Sequence, residues 1–84
     1  MIEREITVLI EKGLHARPAA LLVKKLNEFS SSVEFLAGGK KLNPKSILSL
    51  MTSVIKQGEI IHVTVNGSDE QETMDWLINY LQKV

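Results

Sequence analysis

The sequence predicts an α+β fold of two layers, in which three helices cover one side of a four-stranded sheet and the other side meets water. Three observations lead there. Three short stretches alternate apolar and polar residues at the period of a half-buried strand, and a hairpin turn adds a fourth strand. Three longer stretches repeat their apolar residues at helical spacing, and glycine, proline or a capping residue separates the elements. The order is β-α-β-β-α-β-α.

The first strand is expected over 2–10, where Ile6, Val8 and Ile10 alternate with Glu5, Thr7 and Leu9, and Gly13 ends it. Helix 1 follows over 16–29, with Ala19, Leu22, Val23, Leu26 and Phe29 as its buried stripe. Val33, Phe35 and Ala37 then alternate with Glu34 and Leu36, and Gly38-Gly39 supplies the positive φ of a tight hairpin turn into a short returning strand over 40–43. Asn43-Pro44-Lys45-Ser46 combines a turn, a proline and an N-cap residue, so helix 2 starts at Ile47 and is expected to run to about residue 56. Ile61, Val63 and Val65 alternate with His62 and Thr64 in the last strand, which Asn66-Gly67 ends. Ser68 with Gln71, or Asp69 with Glu72, gives a capping signal ahead of Met74, Leu77, Ile78 and Leu81, the apolar stripe of helix 3.

Composition narrows the function. The 84 residues leave room for one domain, 1–84, with one core, and ten Lys+Arg against ten Asp+Glu give no basic field for nucleic acid or an anionic membrane. The absence of cysteine excludes a disulfide scaffold, thiolate zinc and thiol catalysis, and makes the cytoplasm the default compartment. Met1-Ile2-Glu3-Arg4-Glu5 is acidic where a signal peptide is basic, and no apolar run approaches the ~20 residues that span a bilayer.

Two histidines are the side chains whose ordinary titration falls near neutrality. His62 lies on the polar face of the last strand with no second metal ligand at a usable spacing, and is expected to be an exposed strand residue. His15 is different. It stands directly before helix 1, whose Pro18 falls in the first turn, where a missing N–H costs no intrahelical bond. The first N–H groups of that helix, from Ala16 and Arg17 onward, have no internal partners and form an anion site beside the imidazole, and Arg17 adds a guanidinium. The same partial positive charge opposes a charged ring, leaving a nitrogen able to accept a phosphoryl group. Spacing alone leaves a second account open, a histidine that caps a helix beside a solvated Arg17. Both helices also carry surplus apolar surface. Arg17, Ala20, Leu21, Lys24 and Glu28 lie opposite the buried stripe of helix 1, and Ile47, Leu48, Leu50, Met51, Val54 and Ile55 span too wide an arc for one core.

Gly13-Leu14-His15-Ala16-Arg17-Pro18-Ala19-Ala20 resembles the active-site signature of HPr, the histidine-containing phosphocarrier family of the bacterial phosphoenolpyruvate-dependent sugar phosphotransferase system. Lys45-Ser46-Ile47-Leu48-Ser49-Leu50-Met51 resembles that family's regulatory-serine segment, and length, element order and the turn at Gly67-Ser68-Asp69-Glu70 fit as well. The resemblance implies an open-faced β-sandwich with an antiparallel sheet in the order 1-4-2-3. It implies that His15 takes a phosphoryl group from phosphorylated enzyme I through Nδ1 and gives it to a sugar-specific enzyme IIA, with Ala16 and Arg17 binding the group and no metal or cofactor on the chain. It implies a docking surface of Ala16, Arg17, Ala20, Lys24, Ile47, Leu48, Met51 and Thr52, which would absorb both apolar surpluses. In relatives that possess the serine kinase, Ser46 is the site of regulatory phosphorylation, which adds a serine kinase/phosphorylase and a transcriptional regulator to the implied partners.

The chain also departs from the family pattern. Ser49 stands where glycine is frequent and Lys12 where a small polar residue is common. Trp76 and Tyr80, one helical turn apart and off the buried stripe, either wrap the domain edge or mark a self-association or partner site. A regulatory paralogue acting as a corepressor or effector is the alternative function. That paralogue lacks the active histidine, and His15 argues against it.

Overall fold

The computed structural model describes residues 1–83. Its elements are β1 (Ile2–Thr7), α1 (Ala16–Leu26), β2 (Ser32–Ala37), β3 (Lys40–Leu42), α2 (Ile47–Leu50), β4 (Ile60–Asn66) and α3 (Glu70–Leu81), in the predicted order. The four strands form one antiparallel sheet ordered β1-β4-β2-β3, as the family resemblance implied.

Register explains the two layers. Ile6 pairs with Ile61 and Phe35 with Val63, so apolar residues of neighbouring strands fall on the same face. That face carries the fully buried Phe35, Ile61, Val63 and Val65, and Ala19, Leu22 and Leu26 of α1, Leu50 of α2, and Met74, Leu77 and Leu81 of α3 close over it. Each such side chain contributes ~1.5–3 kcal/mol by leaving water, which is how a small chain without staples keeps its shape. The other face is polar and open: His62 Nε2 sits 3.0 Å from Glu3 Oε1, both partly exposed, as expected for a strand histidine.

Several elements are shorter than their periodicity. Helix 1 ends at Leu26 because the Asn27 side chain donates to the carbonyls of Val23 (2.8 Å) and Lys45 (3.0 Å), and Glu28 and Phe29 follow in tighter i,i+3 turns. Helix 2 stops at Leu50, well short of residue 56. There the Thr52 hydroxyl donates to the Ser49 carbonyl at 2.6 Å and the Thr52 N–H turns to the same oxygen, so the chain tightens and leaves the helix. β1 leaves the ladder after Thr7, and the Leu9 N–H goes to the Leu81 carbonyl at the end of α3 instead (2.8 Å).

The capping signal of α3 also resolves differently. Asp69 is the N-cap residue, but its carboxylate makes no cap bond and accepts from the Ser30 N–H (2.8 Å), the Ser31 N–H (2.9 Å) and the Ser31 hydroxyl. These bonds lock the turn after α1 to the start of α3. They hold the Asp69 carboxyl down at about 2, the Ser31 hydroxyl being the largest cause.

Candidate functional site

The segment that delivers His15 is pinned before the helix begins. Gly13 is buried with φ +73°, and a Cβ added there would lie 2.2 Å from the Ile55 carbonyl oxygen, so only glycine lets the two backbones approach. The same Ile55 oxygen accepts the Leu14 N–H at 2.9 Å, the Leu14 side chain is buried, and the Lys12 N–H donates to Gln57 Oε1 at 3.1 Å. Lys12 itself takes the left-handed conformation, φ +66°, uncommon for a residue with a Cβ.

His15 is the N-cap residue of α1, with extended backbone angles of φ −82° and ψ −175°. Its N–H goes to the Gly13 carbonyl (3.1 Å) and its carbonyl accepts the Ala19 N–H (3.0 Å), while its side chain makes no capping bond and is exposed. Pro18 has no N–H, which leaves those of Ala16 and Arg17 as the backbone donors at this helix end. An exposed imidazole beside two free N–H groups, the positive end of a helix dipole and the nearby Arg17 can receive an anion and release it again. The surrounding hollow is shallow, about 370 Å³, and is lined by Glu11, Lys12, His15, Arg17, Pro18, Leu21 and Tyr80. A larger hollow of about 720 Å³ lies on the open side of the sheet around Glu34, Lys41, Asn43 and Thr64, and shares no residue with it.

The other expected site residues lie along α1 and α2, which pack against each other. Ala16, Arg17, Ala20 and Lys24 are exposed along α1. α2 packs next to α1, and the Asn27 bond to the Lys45 carbonyl ties the end of one to the start of the other. Of the six apolar residues that overfilled helix 2, Leu50 and Ile55 are buried, whereas Leu48 (79%) and Val54 (75%) are largely exposed and Ile47 and Met51 partly so. Thr52 is exposed beside them. Ser46 is the N-cap of α2, its Oγ accepting the Ser49 N–H at 3.3 Å, and it is half-buried.

Other residues near His15 or on the exposed apolar surface carry no site signal of their own in the sequence. Leu21 and Val54 were visible in it as apolar surplus, and both are exposed here. Glu11 had no signal. Tyr80, which the sequence leaves between the domain edge and a contact site, stacks its ring on Trp76 (centroids 4.8 Å apart, 13° between planes), and its hydroxyl donates to the Pro18 carbonyl at 2.8 Å. Among the described residues no cluster of three or more His, Asp or Glu side chains could hold a metal ion, and no helix is long and apolar enough to cross a membrane.

Known proteins resemble the chain over nearly its whole length. The family model described as the PTS HPr component phosphorylation site matches residues 2–83. HPr-like protein Crh of Halalkalibacterium halodurans is 43% identical over 99% of each chain. Phosphocarrier protein HPr of Haemophilus influenzae is 36% identical over 93% of this chain and 92% of its own. The crystal structure of a phosphocarrier protein HPr from Bacillus anthracis matches with a TM-score of 0.92 and 37% identity over 96% of each chain. With fold, topology and nearly every residue accounted for by these matches, the chain belongs to the HPr family of the phosphotransferase system, stoichiometric phosphocarriers that move phosphoryl groups between enzyme I and enzyme IIA.

Proposed function

We infer that His15 is the phosphoryl acceptor, and that residues 1–84 act as one cytoplasmic carrier domain for sugar uptake. The observation that carries this reading is the exposed His15 side chain, free of any capping bond, beside the Ala16 and Arg17 N–H groups. Phosphoryl transfer asks for in-line positioning and charge stabilisation, and an open corner lets the partner bring the rest. A ring nitrogen of His15 forms the bond to phosphorus as the bond to the enzyme I donor atom breaks, and the reverse exchange loads enzyme IIA. The N–H groups of Ala16 and Arg17, with the Arg17 guanidinium, stabilise the oxygens in passage. Ala20, Lys24, Ile47, Leu48, Met51 and Thr52 form the docking surface around them. The test is incubation with phosphoenolpyruvate and enzyme I. The wild-type chain gains one phosphoryl group that is acid-labile and base-stable, and His15→Ala gains none while keeping its fold; a modified His15→Ala variant would refute the assignment.

A second reading has its own support. Identity is higher to the HPr-like protein Crh (43%) than to the Haemophilus HPr (36%), which favours a regulatory effector acting through Ser46 and α2. In that reading a serine kinase/phosphorylase modifies Ser46 and a transcriptional regulator binds the modified face. Binding of a regulator by the Ser46-phosphorylated chain, undiminished in His15→Ala, would establish it.

A further inference from the structure

We propose that Tyr80 is a positioning residue for phosphoryl transfer, fixing the first turn of α1 from the end of α3; this rests on the reading of His15 as acceptor. The last turn of α3 grips the active corner on both sides. Before His15, the Leu81 carbonyl accepts the Leu9 N–H at 2.8 Å; after it, the Tyr80 hydroxyl donates to the Pro18 carbonyl at 2.8 Å. Residues 9–18, which include every backbone donor at the start of α1, are therefore held at their two ends by adjacent residues of one helix.

The grip itself is firm. Leu77 and Leu81 are fully buried in the core, and the Tyr80 ring is braced by Trp76, which meets Phe29 at 6.4 Å with planes at 50°. The aromatic series thus reaches from the turn after α1 back to its first turn. Burial raises the Tyr80 pKa, so the hydroxyl keeps its proton and remains a donor.

The first turn of α1 has need of such an anchor. Its earliest intrahelical bond is from the Ala19 N–H to the His15 carbonyl, Pro18 has no N–H to contribute, and the Ala16 and Arg17 donors are exposed. First turns fray, and donors aimed at a transferring group are effective only while their direction is fixed. Anchoring the Pro18 carbonyl on α3 sets the direction of the turn, and with it the aim of the two N–H groups relative to the His15 ring. Tyr80 also lines the hollow that contains His15.

Tyr80→Phe tests this, because it keeps the ring and its stack and removes only the donor. Single-turnover transfer from phosphorylated enzyme I is followed over a range of carrier concentrations, beside a thermal melt. The expected result is a saturated rate about three- to tenfold lower, a half-saturating concentration within about twofold of wild type, and a melting temperature within a few degrees. A merely structural role would behave otherwise, since an unfolded fraction raises the half-saturating concentration and spares the saturated rate. That pattern, or an unchanged saturated rate, would overturn the proposal while leaving His15 as acceptor. A wild-type chain that takes no phosphoryl group on His15 would remove both.

Discussion

Gly13→Ala should loosen the active corner by a predictable amount. A residue with a Cβ at φ +73° pays ~1–2 kcal/mol for the left-handed conformation. Its Cβ would also meet the Ile55 oxygen at 2.2 Å, the Gln57 nitrogen at 2.8 Å and the Lys56 carbonyl carbon at 2.9 Å, all backbone atoms that cannot rotate away. Ordinary contact begins near 3.4 Å, so the two segments must part by more than an ångström. The bond from the Leu14 N–H to that Ile55 oxygen then fails, adding ~0.5–1.5 kcal/mol. The sum is about 1.5–3.5 kcal/mol, which in a domain of this size lowers the melting temperature by roughly 6–28 °C at ~4–8 °C per kcal/mol. Gly38→Ala is the control, for Gly38 has φ +57° and nothing within 4 Å of the added Cβ, so only the conformational cost applies. Thermal unfolding followed by circular dichroism measures both. Melting temperatures within about 2 °C of each other would contradict the close approach, because the lost bond alone should separate them by roughly 2–12 °C.

Arg17→Ala should slow phosphoryl transfer from enzyme I by ~10² or more while still allowing slow modification of His15, and single-turnover rates will show it. Ser46→Asp should raise the half-saturating concentration for enzyme I several-fold with the saturated rate little changed, because the carboxylate enters the face of Ile47, Leu48 and Met51. Its melting temperature should hold, since a carboxylate can accept the Ser49 N–H as the Ser46 hydroxyl does. Asp69→Asn should melt below wild type at neutral pH. The folded pKa of about 2 lies below the ordinary 3.8, so the carboxylate's contribution is complete above that range and disappears as pH falls through it. The gap between the two melting temperatures should therefore close between about pH 4 and pH 2.

Legibility in the sequence followed the range of the interaction. Strand alternation and helical stripes are local, and Ile61, Val63, Leu22, Leu26 and Leu77 all face the core as their spacing required. The candidate corner at His15 was legible for the same reason, since Glu11, Lys12, Arg17 and Pro18, its neighbours in the chain, line the same hollow. Element ends were not, because Asn27 and Thr52 stop their helices with side-chain bonds that compete with the backbone ladder, and β1 ends where Leu9 finds α3. The surplus on helix 2 was legible as a quantity but not as an assignment: the split of Leu50 and Ile55 from Leu48 and Val54 depends on where the helix stops. The bonds from Tyr80 to Pro18 and from Leu14 to Ile55 join distant parts of the chain through packing, and no local pattern encodes them.

Passage of a phosphoryl group through His15 is tested most directly by following label along the whole relay. Labelled phosphoenolpyruvate, enzyme I, the chain and an enzyme IIA should be combined, and the label followed onto enzyme IIA. Label should reach enzyme IIA only when the wild-type chain is present, pass transiently through an acid-labile adduct on His15, and stop at enzyme I when His15→Ala replaces it. Label arriving on enzyme IIA through the His15→Ala chain, or a wild-type chain that is phosphorylated on His15 yet passes nothing to any enzyme IIA tested, would contradict the carrier account.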